Sequence, residues 1–120
     1  MLPIRDQAGK TCGWLNDGHV HDLTGQHFGY VISHGHVFTF VGAYVGRLVD
    51  GYFCDRAGDA VAWLDGASGG PLLPVALPAP VAPIPQGPLM DFPPLPQPPV
   101  ASTPTHTWSS STWDRFCAGS

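Results

Sequence analysis

Apolar and polar residues alternate in short stretches over residues 1–70, and glycine interrupts them at regular intervals. The stretch "HVHDLTGQHFGYV", residues 19–31, shows both features. A period of two is typical of strands that pack one face and expose the other. Short alternating runs separated by turn residues predict β-hairpins, such as 18–22 paired with 26–32.

Four copies of this pattern follow one another, which makes residues 1–68 an internal repeat. At intervals of 16, 17 and 16 residues stand Asp6, Asp22, Thr39 and Asp55. Three residues after each of these stand Gly9, Gly25, Gly42 and Gly58. Two residues before them stand Ile4, Val20, Val37 and Phe53. Two later columns hold Gly13, Gly29, Gly46 and Ala62, then Leu15, Val31, Leu48 and Leu64.

Two kinds of turn explain the polar columns. An Asp followed three residues later by Gly suits a tight hairpin, because Asp accepts backbone N–H groups and Gly adopts positive φ. Between repeats stand Asp17-Gly18, His34-Gly35 and Asp50-Gly51, which suit a second turn with positive φ. The chain is therefore predicted to be all-β, with about eight antiparallel strands in four hairpins.

Alternation assigns the two faces of each hairpin. Val20, Val37 and Phe53 are predicted to face the core. The opposite face then carries His19, His36, Tyr52, His21, Phe38 and Cys54. A single hairpin is barely stable in water, so the four must share one core. We expect a pseudo-fourfold arrangement around an axis, with the column that includes Gly46 allowing close backbone approach at that axis.

The pattern "VxDxxGxxxGxV" occurs in tandem and ends near "WLDGASGG", and a Pro-rich stretch and "WSSSTWDRF" follow. This organisation resembles the small bacterial proteins called the four-fold beta flower family. Thr39 replaces the usual Asp and Ala62 the usual Gly, so irregular geometry is expected in repeats three and four. The resemblance implies a fold, and it implies no activity and no catalytic residue.

The distribution of proline divides the chain. Thirteen of the 14 Pro lie in residues 71–104, which favours extended polyproline II conformation without a core. The predicted organisation is a hairpin domain at 1–68, a Pro-rich linker at 69–105 and a docking segment at 106–120. Within the linker, "DFPPLPQPP" resembles the acidic-Phe-Pro ligands of EVH1 domains, although its composition favours a stiff spacer.

Aromatic residues return after the linker, at Trp108, Trp113 and Phe116. Ser110 or Ser111 can cap a short helix that brings Trp113 and Phe116 to one side. An exposed Trp is a liability unless it packs against something. The segment is therefore predicted to dock, either on the hairpin domain of the same chain or on an unknown protein partner.

Charge and cysteine content limit the classes of function. The formal net charge is −4 and the five Lys and Arg are scattered, so nucleic-acid binding is disfavoured. The N-terminus lacks a secretory pattern, and proline would break a spanning helix, so no membrane association is expected. Three Cys without a CxxC pair fit a cytoplasmic protein.

Histidines offer a candidate metal site. His19 and His21 form one HxH pair, and His34 and His36 form another on the next hairpin. Imidazoles two residues apart on a strand share a face, and together they could bind Zn²⁺, Ni²⁺ or Cu²⁺. The competing interpretation is that these are ordinary repeat positions that happen to hold His, without a cofactor.

A column of aromatics offers a candidate ligand site. Trp14, Tyr30 and Trp63 share one repeat position, where a ring of them could stack on a sugar or base, although a domain this small favours their use as core. No hydrolase or nucleotide-binding motif occurs, and no catalytic residue is assigned. The sequence thus favours a non-enzymatic protein-interaction or scaffold module with a tethered aromatic peptide. The alternative is a small-ligand or divalent-metal binding domain that uses the His and aromatic columns.

Overall fold

The computed structural model describes residues 2–40, 42–81, 104–105, 107–110 and 112–117. Within these ranges the strands are β1 Leu2–Arg5, β2 Thr11–Asn16, β3 His19–His21, β4 His27–Val31, β5 His36–Thr39, β6 Tyr44–Val49, β7 Tyr52–Cys54 and β8 Ala60–Leu64. Each strand pairs with the next in antiparallel fashion, and β8 pairs with β1 to close a barrel. A short helix, α1, spans Trp113–Cys117. The all-β prediction is confirmed.

The register of strand pairing recurs with the same period as the sequence repeat. We name the β1–β2, β3–β4, β5–β6 and β7–β8 pairs hairpins one to four. Facing residues at the four junctions between hairpins are Leu15 and Val20, Val31 and Val37, Leu48 and Phe53, Leu64 and Ile4. Each hairpin also has one irregularity in register, immediately after its inward-facing residue Ile4, Val20, Val37 or Phe53. The four-hairpin arrangement predicted from the repeat is therefore present.

Turns within the hairpins use the predicted chemistry. The Gly9 N–H donates to the Asp6 carbonyl at 3.0 Å, and Gly9 has a φ of +81°. The Asp6 carboxylate accepts N–H groups from Ala8 and Lys10. In hairpin three the Thr39 hydroxyl replaces the carboxylate and accepts the Ala43 N–H at 3.1 Å. The irregularity expected at Thr39 is therefore not seen, because a hydroxyl can satisfy the same amide.

Turns between hairpins have the predicted positive φ. Asp17 and Asp50 have φ values of 50° and 49°, and each precedes a glycine with positive φ. The longer interval in the repeat is accommodated at Ser33–Gly35, a short 3₁₀ turn in which His34 has a φ of 64°. Asp, Asn and His tolerate this conformation better than branched residues do.

The interior contains the predicted apolar column. Ile4, Val20, Val37 and Phe53 are all fully buried, and they share one core with Trp113 and Phe116 of α1. The glycine column lies on this inner side, but its close contacts join neighbouring strands. A Cβ at Gly29 would approach the Phe38 carbonyl oxygen to 2.5 Å. The predicted crowding is therefore between adjacent hairpins, while side chains fill the axis.

Candidate functional site: the groove of hairpin four

Part of the outer face of hairpin four is covered by chain that follows the barrel. Tyr52, Cys54, Ala60 and Trp63 form a second buried cluster there, with Ala67, Leu73 and Trp108 packed against it. The Tyr52 hydroxyl donates to the Pro71 carbonyl at 2.7 Å. Gly70 lies so close to the Tyr52 ring that an added Cβ would clash with it at 2.6 Å. The outer face is therefore a second small core.

Residues 104–105 and 107–110, which we call the docking strand, pair with hairpin four through the backbone. The Thr105 N–H donates to the Gly58 carbonyl at 3.0 Å, and the Ala60 N–H donates to the Thr107 carbonyl at 3.0 Å. The Ser109 N–H donates to the Ala60 carbonyl at 2.7 Å, and Ala60 and Trp108 thereby form a parallel β-bridge. This geometry is β-strand addition, a common mode of peptide recognition.

Trp108 occupies the space above Ala60. Its ring centroid lies 6.2 Å from that of Tyr52, at an interplanar angle of 64°. Cys54 and Ala60 are both small, so they leave room for the indole. We call this depression, lined by Tyr52, Cys54, Ala60 and Trp63, the groove.

Side chains reinforce the backbone pairing. The Thr105 hydroxyl donates to Asp59 at 2.6 Å, and the Ser109 hydroxyl donates to Asp55 at 2.5 Å. From hairpin one, the Gln7 amide donates to the Ser109 carbonyl at 2.8 Å. Hydrogen bonds to a carboxylate are about twice as strong as neutral ones. Within this chain, the groove therefore contacts small hydroxyl side chains on either side of an aromatic residue.

Helix α1 enters the mouth of the barrel. Trp113 and Phe116 are 7% and 1% exposed, and their rings stack 5.5 Å apart. Trp113 also meets the rings of Phe28 and Phe53 edge-on, at 5.8 and 5.4 Å. The helix begins after Thr112, whose carbonyl accepts the Phe116 N–H. Both aromatic residues of α1 thus belong to the main core.

Hairpin one receives another part of the tail. The Leu77 N–H donates to the Gly9 carbonyl at 3.0 Å, and the Arg5 guanidinium donates to the Leu77 carbonyl. Arg5 also pairs with Asp65 at 3.0 Å and lies over the Trp63 ring. The predicted domain boundary at residue 68 stays a prediction, but residues on both sides of it contact the barrel.

The predicted aromatic site is inaccessible from solvent. Trp14, Tyr30 and Trp63 are 3%, 1% and 3% exposed. Trp63 donates from its indole nitrogen to the Asp6 carbonyl at 2.9 Å, which fixes the ring between hairpins four and one. None of the three rings presents an open face to a sugar or base. This column stabilises contacts between hairpins.

The predicted histidine pairs have different neighbours. His19 and His21 both lie near His27, with ring centroids 4.9 and 5.5 Å from it. His36 instead contacts Tyr44, while His34 is exposed in its turn. Throughout the described ranges, no set of three or more His, Cys, Asp or Glu side chains is placed to hold a metal ion.

His21 and His27, whose rings are in contact, both have pKa values below the ordinary value for histidine. Burial lowers the pKa of His21, although the Gly25 carbonyl favours its charged form. Burial also lowers the pKa of His27, and positive charge on His19 or His21 lowers it further. His21 Nε2 is buried without a hydrogen-bond partner among the described residues. Burial at this contact therefore favours the neutral forms of His21 and His27.

All three thiols are free and poorly ionised. Burial raises the pKa of Cys54 to about 11 and that of Cys117 to about 12, and it raises the pKa of Cys12 as well. The thiolate is the reactive form of cysteine. These environments suit packing and do not activate a nucleophile.

An open cavity of about 620 Å³ lies beside α1. Its wall includes Lys10, Thr11 and Cys12 from hairpin one, and Thr112 and Asp114 from the C-terminal segment. The Thr11 hydroxyl is buried without a hydrogen-bond partner among the described residues. The volume is in the range of small-molecule pockets.

Sequence reasoning named Trp63 and Trp108 but missed three other residues that hold the docking strand. These are Ala60, which has no functional group, Asp55, which was assigned only to a turn, and Asp59, which was not singled out. One signal was present in the repeat. The column aligned with Ala60 also contains Thr11, His27 and Tyr44, so it holds two small residues and two residues with rings.

The "DFPPLPQPP" motif lies outside the described residues. Within the described ranges, no helix has both the length and the apolar character needed to cross a membrane. Comparison with curated proteins and with solved structures finds no match. The repeat, the closed four-hairpin barrel and the returning tail agree with the family described as 4-fold beta flower protein, which matches residues 2–117, and the chain belongs to that family.

Proposed function

We propose that this chain is a non-enzymatic protein-interaction module whose groove binds an extended peptide with a central aromatic residue. In the absence of another partner, the docking strand of the same chain fills the groove. The Pro-rich linker then acts as a tether that keeps this peptide at a high local concentration. An outside partner would have to displace it.

One observation carries this proposal. The docking strand is held on hairpin four by three backbone hydrogen bonds, at 3.0, 3.0 and 2.7 Å, on either side of one inserted indole. Backbone pairing supplies affinity for any extended chain, whereas a side-chain pocket supplies specificity. The groove therefore has both elements of a peptide-binding site.

The chemistry of the remaining polar groups supports a binding role. A nucleophilic cysteine requires a lowered pKa, and burial instead raises the pKa of Cys54 to about 11. His21 and His27 are held in a packed cluster between strands. Neither group is arranged as an activated nucleophile with its base.

The experiment uses the full chain with Trp108→Ala, which weakens its own docking strand. A synthetic peptide of residues 104–110 is titrated into the ¹⁵N-labelled variant, and amide shifts are followed. We expect saturable shifts at Gly58, Ala60 and Cys54. The matched control is the same peptide carrying Trp108→Ala, which should shift these amides at least about tenfold less at equal concentration, since a buried Trp dominates such contacts. Equal shifts from both peptides, or none from either, would refute the proposal.

Divalent-metal binding by imidazoles is a second candidate. It is favoured by the separation of His19 Nδ1 and His27 Nε2, which are 3.2 Å apart. At this separation two nitrogens can share a hydrogen, or each can lie about 2.0–2.1 Å from one Zn²⁺. His19 was part of the predicted set of His19, His21, His34 and His36, and His27 was not.

Zn²⁺ added at micromolar concentration tests this candidate through the melting temperature. A ligand that binds only the folded state raises that temperature. If His19 and His27 bind the metal, His27→Phe abolishes the increase and His34→Asn preserves it. An increase that survives His27→Phe but disappears in His34→Asn would instead support the predicted HxH pairs.

A further inference from the structure

One repeat position differs among the hairpins in a way that correlates with where the tail docks. It is the first outward-facing position after each hairpin turn, and it holds Thr11, His27, Tyr44 and Ala60. We call it the gate position. Two of its residues are small and two carry rings.

In hairpins two and three the ring at the gate position covers the outer face of its own hairpin. The Tyr44 ring lies 5.3 Å from the Phe38 ring, and its hydroxyl is 3.2 Å from His36 Nδ1. The His27 ring has equivalent neighbours, His21 at 5.5 Å and His19 at 4.9 Å. Both rings therefore lie over the same two repeat columns.

In hairpin four the same place is taken by Trp108 of the docking strand. Trp108 contacts Tyr52, which occupies the column of His19 and His36. Ala60 has only a methyl group and cannot cover that column itself. An indole from the tail thus stands where Tyr44 or His27 places its own ring.

Hairpin one is consistent with this correlation. Its gate residue, Thr11, is small, and the tail also contacts this hairpin. The Leu77 N–H donates to the Gly9 carbonyl, and the Thr105 N–H donates to the Gly58 carbonyl, which is the equivalent acceptor in hairpin four. In both hairpins with a small gate residue, the tail therefore donates a hydrogen bond to the equivalent backbone carbonyl.

We propose that the gate residue determines which hairpin binds an aromatic peptide, and that hairpins two and three are copies of the groove closed by their own rings. The occupant is an extended segment with the chemistry of the docking strand, a Trp between small hydroxyl residues. This inference rests on the proposed function of the groove, and it adds that Ala60 is the residue that determines specificity.

Opening a closed hairpin is the first test. In the full chain, Tyr44→Ala removes the ring from hairpin three, and the 104–110 peptide is titrated while the groove of hairpin four stays occupied. We expect saturable amide shifts at His36, Phe38 and Arg47. Affinity should be lower than at the groove, because Ala43 stands where Asp59 accepts a hydroxyl. The matched control, Tyr44→Phe, keeps the ring and should show no shifts there.

Closing the open hairpin is the second test, and it decides the matter if Tyr44→Ala fails to fold. Ala60→Tyr places a ring in the groove and should expel Trp108. We expect the Trp108 indole resonance to move to a solvent-exposed position and the Ser109 amide to exchange at least tenfold faster. Ala60→Ser is the matched control and should leave both unchanged. A folded Ala60→Tyr chain that retains Trp108 in its buried position would overturn the inference.

The two proposals fail in different ways. If the peptide binds the Trp108→Ala chain but not a folded Tyr44→Ala chain, the gate inference is wrong and the peptide groove stands. If the peptide binds neither chain, the groove itself is not a peptide site. Binding to Tyr44→Phe equal to that of Tyr44→Ala would show that the ring is not the barrier.

Discussion

Hairpins four and two have the same backbone arrangement, but different groups cover their outer faces. Hairpin four presents Ala60 and is covered by Trp108 from a segment 48 residues later in the chain. Hairpin two presents His27, whose ring packs 4.8 Å from Tyr30 and 4.9 Å from His19. One cover comes from a segment that follows the Pro-rich linker, and the other is part of the hairpin itself.

The difference shows how a repeat protein can diversify without altering its fold. Inner positions are constrained in every copy, since each must fit the shared core. Outer positions need only be covered, and a ring from the same hairpin or one from the tail satisfies that requirement. Under the gate proposal, a change in side-chain volume at one position is enough to turn a closed face into a binding face.

The largest expected effect comes from breaking the scaffold that both hairpins share. Gly46→Val should unfold the full chain, with a cost above about 4 kcal/mol, because a Cβ at Gly46 would collide with the Cys54 carbonyl oxygen and with the Phe116 ring. Gly42→Ala is the control, since no atom lies within 4 Å of its added Cβ. An alanine held at the positive φ of Gly42 should lower the free energy of unfolding by only about 1 kcal/mol. Urea denaturation measures both, and a Gly46→Val chain as stable as Gly42→Ala would contradict the prediction.

The next effect separates the two parts of the C-terminal segment. Trp113→Ala should lower the free energy of unfolding by about 3–5 kcal/mol, because the indole is buried in the main core. Trp108→Ala should cost less, since Trp108 is only partly buried and lies on the outer face. Denaturant midpoints of the two full-length variants give the comparison. Equal losses would mean that the docking strand is as integral to the core as α1.

Acid should weaken the histidine-covered hairpin. Burial lowers the pKa of His21 and His27 in the folded protein, so the unfolded chain binds more protons as pH falls. Stability is therefore full above about pH 6.5, the unfolded pKa of His, and decreases below it. Urea midpoints between pH 7.5 and 5 measure this loss. His27→Phe should make the dependence shallower, and an unchanged slope would exclude His27 as its source.

The smallest effect tests the polar edge of the groove. Asp59→Asn replaces the carboxylate that accepts the Thr105 hydroxyl and should weaken docking by about 1 kcal/mol or less. Hydrogen exchange at the Ala60 amide, which donates to Thr107, should become up to about fivefold faster. The Leu64 amide donates to Gly51 and is the internal control. If the Leu64 amide accelerates equally, the substitution acts on the whole barrel.

Much of the fold could be predicted from local chemistry. Turns at Asp6 and Asp17 require positive φ or an amide acceptor, and both requirements can be recognised in a few residues. Alternation identified Val20 and Val37 as core residues because a strand places successive side chains on opposite faces. Repetition strengthened each of these signals, since an error in one copy is visible against the other three.

The candidate site was less predictable, and the reason is physical. Trp14 and Trp63 looked like ligand contacts because a sequence does not show that neighbouring hairpins bury them. His27 was omitted from the predicted metal set because it lies six residues from His21, although strand pairing places them opposite each other. Ala60 became important only through residues that follow a long linker. Such contacts are set by the closure of the barrel.

By itself, the sequence determined the four hairpins, their turns and their inner faces, because these depend on backbone conformation and on alternation within about sixteen residues. Only the tertiary structure decided how the outer faces are covered and where the tail binds. Those features depend on pairing of β8 with β1 and on packing between residues far apart in the chain. The volume left above Ala60 is a property of the closed barrel, and Trp108 fills it.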